Sequence, residues 1–244
     1  MADALGYFKE VYGEVPEWVA KMQQFSPEAL DAYTRLRGAI LVDGALSRKE
    51  KELILVGINA ARRYERSMLY HTQGAVDAGA HLDELAEILS VCVISRGLPA
   101  WLEGIKSVKF ASDYEKSKGK SVIVQPYQAK EANFQNIEQC LDYYKTQSHG
   151  VPTWVLQLEK SNPEVLIHYT NLRNATLNSG NVPKKLKELV LVAINTSERY
   201  QEGVRLHVDG ARLCGATDAE LAECHLTALL TAGIPAWFEG AAFL

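Results

Sequence analysis

The feature that most constrains this sequence is a stretch that occurs twice with the same internal spacing. The first copy reads ELILVGINAARRYERSMLYHTQGAVDAG over residues 52–79, and the second reads ELVLVAINTSERYQEGVRLHVDGARLCG over residues 188–215. Each copy opens on a glutamate and ends on a glycine, and its single histidine, His71 or His207, comes 19 residues after the glutamate. Such a unit predicts two lobes with the same fold.

The duplication extends well beyond this stretch, because residue n of the first half aligns with residue n + 136 of the second without a gap. The matching positions include Val15-Pro16 with Val151-Pro152, Trp18 with Trp154, Tyr33 with Tyr169, Leu36-Arg37 with Leu172-Arg173, and Pro99-Ala100-Trp101 with Pro235-Ala236-Trp237. We therefore predict a first repeat over residues 1–109, a linker over 110–133 and a second repeat over 134–244.

Both halves have the sequence signals of helices. Ser47 with Glu50, and Thr217 with Glu220, are typical of capping boxes that open a helix. The nearly continuous apolar residues after Glu52 predict a central, buried helix. The linker is polar with little helix signal, and we expect it to lie on the surface with one extended piece at residues 121–124. No sheet is predicted, so the fold class is all-α.

Composition excludes several classes of function. A formal net charge of −4 and a pI near 5.9 argue against a nucleic-acid partner. The sequence has neither the long uncharged apolar run of a membrane span nor a recognisable secretory signal at residues 1–14. Its four cysteines are scattered, and none recurs at the equivalent place in the other half. We expect a reduced, cytoplasmic protein.

The chemistry of the chain is expected where each glutamate meets its histidine. If the two helices of each repeated stretch pack as an antiparallel pair, Glu52 can touch His71, and Glu188 can touch His207. A carboxylate raises the pKa of a neighbouring imidazole and fixes its tautomer, which gives a proton relay. Those four residues are the predicted catalytic groups.

Three further residues are predicted to bind substrate. Tyr64 and Ser67 lie two turns and one turn before His71, so a helix would align them on its face. Tyr200 occupies the place of Tyr64 in the second half, whereas Gly203 replaces Ser67, so one of the two sites is expected to have been tuned or lost.

This pattern resembles the alkylhydroperoxidase-D-like branch of the carboxymuconolactone decarboxylase family. The Glu, the His 19 residues later and the trailing glycine carry the resemblance, and the Gly-x-Pro-Ala-Trp tail also fits. It spans roughly residues 16–104 and 152–240. The resemblance implies a tandem duplication of a compact all-α domain that forms a pseudo-dimer within one chain. Because the family assembles into trimers or hexamers, it also implies a homotrimer that rebuilds a hexamer of repeats.

The peroxidase members of that family carry Cys-x-x-Cys-x-x-x-His, and this sequence departs from it. The two cysteine places hold Tyr64 and Ser67 in the first half, and Tyr200 and Gly203 in the second. Peroxide reduction needs an attacking thiolate and a second thiol to resolve the sulfenate. Thiol peroxidase activity at this site is therefore disfavoured.

The family's decarboxylases work without a cofactor, and the resemblance implies a cofactor-independent lyase or isomerase. Its Glu–His relay would act on a small oxidised or carboxylated organic molecule. A metal is not expected, because one Glu and one His supply only two ligands. Two alternatives remain: a peroxiredoxin-like antioxidant oxidoreductase with a thiol elsewhere, and a non-catalytic assembly module. Arg37 and Arg173 are interpreted as helix-end salt bridges, with binding of a substrate carboxylate as the alternative, and His225 is interpreted as an incidental residue.

Overall fold

The computed structural model describes residues 3–122, 124, 133–147, 150–178 and 180–244. Helices are the only regular elements in these ranges, which confirms the all-α prediction. Their bounds are α1 (Ala4–Tyr12), α2 (Glu17–Phe25), α3 (Pro27–Ile40), α4 (Arg48–Ala61), α5 (Glu65–Asp77), α6 (Leu82–Arg96), α7 (Leu98–Ser117), α8 (Ile137–Gln147), α9 (Thr153–Ser161), α10 (Pro163–Leu177), α11 (Lys184–Ser197), α12 (Gln201–Leu213), α13 (Asp218–Ala232) and α14 (Ile234–Ala241). No described helix is long and apolar enough to cross a lipid bilayer.

The helices form two lobes, α1–α7 and α8–α14, whose elements correspond one to one in chain order. The two central helices, α4 and α11, are buried along most of their length and pack against each other between the lobes. Gly57 permits this approach, because a Cβ at that position would lie 2.7 Å from Cγ1 of Val190. The duplicated halves thus form an intrachain pseudo-dimer with one continuous core.

The predicted helix boundaries hold where the sequence supplies a cap. Ser47 with Glu50 and Thr217 with Glu220 both form capping boxes, which begin α4 and α13. Gly79 and Gly215 follow α5 and α12 with φ of 91° and 84°, a left-handed conformation that favours glycine over other residues.

The predicted linker begins too early, because α7 continues through residues 110–117. Ala111 is fully buried in the core, and Val108 and Tyr114 pack beside it at one-turn spacing. The Tyr114 hydroxyl also donates a hydrogen bond of 2.9 Å to Asp77. Many lysines and serines hide this narrow apolar stripe in the sequence. The extended piece predicted at 121–124 includes residue 123, which lies outside the described residues.

Two ion pairs with buried lysines join the lobes symmetrically. The Lys51 ammonium lies 2.9 Å from Oε2 of Glu223, and its counterpart Lys187 lies 2.8 Å from Oε2 of Glu87. Each carboxylate also accepts hydrogen bonds from two backbone N–H groups of the other lobe, those of residues 45 and 46 or of 181 and 182. These contacts satisfy charges that would otherwise be costly to bury, and they fix how the lobes sit together.

Near the pseudo-twofold axis, Arg62 contacts Glu198, the residue at its own equivalent position in the other half. Nε of Arg62 lies 3.7 Å from Oε1 of Glu198. The guanidinium also donates a hydrogen bond of 2.7 Å to the carbonyl of Thr231. The duplication has therefore diverged into opposite charges at this position.

His225 is not incidental, because it lies fully buried inside the second lobe. Its Nδ1 is 3.1 Å from the hydroxyl of Thr196, while its Nε2 has no hydrogen-bond partner among the described residues. These two residues replace Leu89 and Ala60 at the equivalent positions of the first lobe. Sequence reasoning saw that the histidine does not recur, but not that it occupies a core position.

Candidate functional site

Each predicted glutamate touches its predicted histidine inside a helical hairpin. Nδ1 of His71 on α5 lies 2.7 Å from Oε2 of Glu52 on α4. In the second lobe, Nδ1 of His207 on α12 lies 2.7 Å from Oε2 of Glu188 on α11. Both carboxylates are fully or almost fully buried, and each histidine is 6% exposed. The four residues lie together as the repeat spacing predicts.

A glycine one turn after each histidine makes room for the carboxylate. A Cβ at Gly74 would lie 2.6 Å from Oε1 of Glu52, and one at Gly210 would lie 2.9 Å from Oε2 of Glu188. Real Cβ atoms do not come that close to a neighbour. Sequence reasoning missed both residues, although a glycine that recurs in mid-helix, where it costs stability, was a usable signal.

An arginine is the third charged member of each site. Nη2 of Arg37 lies 4.0 Å from Oε1 of Glu52, and Nη2 of Arg173 lies 4.0 Å from Oε1 of Glu188. Each arginine lies near the end of its helix, as a helix-end salt bridge would, but it is buried rather than on the surface. The predicted salt bridges are therefore present, but their partners are the buried glutamates of the Glu–His pairs.

Glu52 is ionised at neutral pH. Burial raises the pKa of this carboxyl, but the hydrogen bond from His71 and the charges of His71, Arg37 and Arg48 outweigh burial and hold the pKa below its usual value. Glu188 has a lowered pKa for the same reasons, with His207, Arg173 and Lys184 around it. An ionised carboxylate only accepts hydrogen bonds, so each histidine donates from Nδ1–H.

Both histidines are neutral at neutral pH, contrary to the expectation that the carboxylate raises their pKa. Burial lowers the pKa of His71 and of His207, and it outweighs the opposite effect of the neighbouring glutamate. The Nδ1–H tautomer leaves the lone pair on Nε2. No described residue is hydrogen-bonded to Nε2 of either ring. Each site therefore carries an oriented imidazole that can accept a proton.

A hollow of about 540 Å³ lies over the first site, a volume typical of small-molecule pockets. Its aromatic wall includes Phe8, Tyr12, Trp18 and Tyr33, and four arginines, Arg37, Arg62, Arg63 and Arg66, also line it. His71 lines the hollow, and Leu230 and Thr231 of the second lobe complete it. The pseudo-dimer thus contributes residues of both lobes to this site.

Tyr64 and Ser67 line the same hollow as His71. Tyr64 precedes α5 and is 57% exposed, so it lies at the rim rather than in the core. Tyr200 is 52% exposed and donates a hydrogen bond of 3.2 Å to Glu202. The predicted substrate-binding residues therefore lie at the rims of the two sites.

Three buried polar atoms of the first site lack hydrogen-bond partners within the described ranges. They are Oε1 of Glu52, Nε of Arg37 and Nε of Arg48. Unpaired buried polar atoms are rare in native proteins, and they are often satisfied by water or by a ligand. In the part of the chain that the structure describes, no three His, Cys, Asp or Glu side chains converge as a metal site would require.

The thiols of this protein are poorly suited to nucleophilic chemistry. Burial raises the pKa of Cys92 to about 12, and it also raises the pKa of Cys140, Cys214 and Cys224. All four are free cysteines. A high pKa suppresses the thiolate that peroxide reduction needs.

Comparisons with known proteins agree with this architecture. An uncharacterised protein of Cupriavidus necator is 27% identical over 97 residues, which is 40% of this chain and 86% of that protein. An uncharacterised protein of Methanocaldococcus jannaschii is 21% identical over 92 residues, which is 38% of this chain and 86% of that protein. Each of these relatives therefore matches about one lobe.

Two solved structures from Burkholderia xenovorans are also similar. A candidate gamma-carboxymuconolactone decarboxylase subunit aligns with 98% of this chain and 95% of its own, with a TM-score of 0.68 and 19% identity, which shows the shared fold. A candidate carboxymuconolactone decarboxylase is 34% identical, covers 48% of this chain and 91% of its own, and has a TM-score of 0.44.

The family model described as the carboxymuconolactone decarboxylase family matches twice, over residues 27–109 and 163–244. These two matches cover about two thirds of the sequence and fall one in each lobe. The protein therefore belongs to the carboxymuconolactone decarboxylase family.

Proposed function

We propose that this protein is a cofactor-independent lyase or isomerase that moves a proton on a small oxidised or carboxylated organic molecule. One observation carries the proposal: His71, held at Nδ1 by an ionised glutamate, lines a hollow that four arginine side chains also line. Nε2 of His71 is the proposed proton carrier, and Glu52 orients the ring and stabilises the imidazolium that forms.

The proposed chemistry balances without a further reactant. In an isomerisation, Nε2 takes a proton from a carbon next to a carbonyl, and the imidazolium returns it to another carbon of the same enolate. In a decarboxylation, the C–CO₂ bond breaks and its electron pair stays on the substrate carbon. That carbanion then receives one proton, which the imidazole takes from solvent and delivers through Nε2.

The arginines of the hollow support an anionic substrate. Guanidinium groups bind carboxylates with two parallel hydrogen bonds, and they also stabilise the negative charge of an enolate. Arg37 lies deepest and is held by Glu52 and the ring of Tyr12, 5.5 Å away. Tyr64 and Ser67 are proposed to contact the substrate from the rim. The aromatic wall would cover its apolar face and exclude water.

Turnover should depend on His71. We expect His71→Ala to lower kcat/KM by about 100-fold or more, because general acid–base catalysis typically contributes at least that factor. Glu52→Gln should lower it less, since the ring stays in place but loses its charged partner. A panel of carboxylated lactones, followed by proton NMR, would measure this.

The exposed His168 is the matched control, because its ion-pair contact to Glu164 is 3.8 Å and fully on the surface. His168→Ala should leave turnover unchanged. Full activity in His71→Ala would overturn the proposal. Loss of activity on replacing the four cysteines with serine would instead favour a thiol-dependent oxidoreductase, and a stable protein that turns over nothing would favour an assembly module.

A homotrimer of tandem chains is the proposed assembly, and a repeated apolar stripe supports it. On α7, Leu98 and Leu102 are 59% and 60% exposed, and at the equivalent positions of α14, Ile234 and Phe238 are 52% and 65% exposed. Apolar side chains that stay exposed at matching places in both lobes are typical of an interface between copies.

Charging this stripe should dissociate the assembly. We expect Leu102→Glu combined with Phe238→Glu to reduce the mass measured by light scattering from about three chains to one, because buried carboxylates without partners oppose association. Phe25→Glu is the control, since Phe25 is 74% exposed on α2, away from the stripe. A double variant with unchanged mass would exclude these helices from the interface.

A further inference from the structure

The two Glu–His sites have the same core but different rims. The glutamate, histidine, arginine and glycine of the core recur in both lobes with nearly identical distances. Four rim positions differ, and the first-lobe residue is followed here by its second-lobe counterpart: Arg62 and Glu198, Arg66 and Glu202, Ser67 and Gly203, Tyr70 and Leu206. These four differences lie at the rim and leave the Glu–His core unchanged.

The rim of the first site is strongly cationic. Arg63 and Arg66 line the hollow with exposed side chains, and neither forms an ion pair with any described residue. Arg62 also lines it but contacts Glu198. The charge on this rim is compensated only at Arg62, so Arg63 and Arg66 can attract an anion.

The rim of the second site lacks this excess of positive charge. The positions of Arg62 and Arg66 hold Glu198 and Glu202, and only Arg199 keeps the positive charge of Arg63. Glu202 accepts its hydrogen bond from the Tyr200 hydroxyl on this same rim. Because Glu198 contacts Arg62, Glu202 is the rim carboxylate that an approaching anion would meet, and it repels the anion where Arg66 attracts one.

The second rim has no space for a side chain at position 203, whereas the first rim accommodates Ser67 at the equivalent position. A Cβ at position 203 would lie 2.6 Å from Oδ1 of Asn195 and 2.6 Å from Cδ1 of Tyr200. The asparagine amide and the tyrosine ring therefore occupy space that Ser67 keeps in the first lobe. Shape and charge change together at the same place.

We propose that the duplicated sites have divided in specificity: the first binds carboxylates, the second excludes them, and Arg66 and Glu202 set the difference. This inference rests on the proposed function only in identifying the bound carboxylate with the substrate. It makes Arg66 a specificity-determining residue and leaves the Glu188–His207 pair without an anionic substrate.

Benzoate and its neutral analogue benzamide are suitable probes, because they have nearly the same shape. Each titration would follow the imidazole ring signals of His71 and His207 by NMR, assigned with His71→Gln and His207→Gln. We expect benzoate to perturb His71 with at least about ten-fold higher affinity than His207. Arg66→Glu should abolish that preference and leave the affinity for benzamide unchanged.

The chain provides the reciprocal change and a charge-matched control. Glu202→Arg should strengthen benzoate binding at His207 by about ten-fold. Lys21→Glu, an exposed residue on α2, alters net charge by the same amount as Arg66→Glu and should leave His71 binding unchanged. If Lys21→Glu weakened benzoate binding at His71 as much as Arg66→Glu does, the preference would come from the overall charge of the protein. That result would overturn the role of Arg66.

Equal benzoate affinity at both histidines, or no binding at either, would overturn the division of the sites. So would an Arg66→Glu variant that loses benzamide as readily as benzoate. Failure of the proposed function has a separate signature: benzoate binds selectively at His71, but no carboxylated lactone is turned over. Turnover that depends on His71 with equal binding at both sites would reject this inference alone.

Discussion

Gly74→Ala is expected to lower the free energy of unfolding by about 3 kcal/mol and to inactivate the first site. The added methyl carbon would lie 2.6–2.9 Å from all three atoms of the Glu52 carboxylate. That carboxylate is fully buried and hydrogen-bonded to His71 at 2.7 Å, so it can move only by breaking the pair. Breaking a buried charged pair costs about 3–5 kcal/mol, which exceeds the gain of about 1 kcal/mol from replacing a helical glycine.

Thermal melts would measure this effect as a fall of roughly 6–12 °C. Gly38→Ala is the matched control, because Gly38 is also helical but a Cβ there would meet no described atom within 4 Å. This control should gain about 0.5–1 kcal/mol. Adding Glu52→Asp to Gly74→Ala shortens the acid and should recover part of the loss. A Gly74→Ala protein as stable as Gly38→Ala would show that this glycine is not needed for the pair.

The second large effect is a loss of stability in mild acid that depends on His225. Burial lowers the pKa of His225 from its ordinary value of 6.5 to about 4. Between these two pKa values the unfolded chain binds a proton at His225 and the folded chain does not. The contribution of His225 to the free energy of unfolding is therefore complete above about pH 6.5 and is lost as pH falls towards 4. The full loss is about 3 kcal/mol, of which about 2 kcal/mol occurs between roughly pH 6.5 and 5.

The first lobe supplies the control variant. Thr196→Ala with His225→Leu restores the Ala60 and Leu89 of the equivalent positions, so the core keeps a combination that the fold already accommodates. Urea denaturation at about pH 7 and pH 5 should show the native protein losing about 2 kcal/mol more than this variant. His71 and His207 have lowered pKa values and are present in both proteins, so they contribute equally to the pH dependence of the two. Identical pH dependence of the two proteins would contradict the prediction.

The repeat made much of the fold predictable from sequence. Two aligned halves at a constant offset imply two similar lobes, and local caps such as Ser47 with Glu50 place helix starts without knowledge of packing. The contact of Glu52 with His71 was predictable for the same reason, because adjacent helices joined by a short turn form a hairpin. These inferences use only near neighbours in the chain.

Features set by distant residues were not predictable. The last two turns of α7 depend on a core surface that its polar composition conceals. Arg37 joins the site from α3, a helix outside the hairpin that carries Glu52 and His71. Gly74 matters because of a carboxylate 22 positions earlier in the chain. His225 is buried by helices from across its lobe. Tertiary packing decides each of these cases, and local sequence does not encode it.

The contact of Arg62 with Glu198 has a consequence for the ancestry of the molecule. A homodimer of first halves would set Arg62 against Arg62, and one of second halves would set Glu198 against Glu198. Like charges close to an axis oppose both arrangements, while the fused chain brings unlike charges together. Fusion thus allowed the two halves to become complementary rather than identical. At this position, a half paired with a second copy of itself would no longer meet a residue of opposite charge.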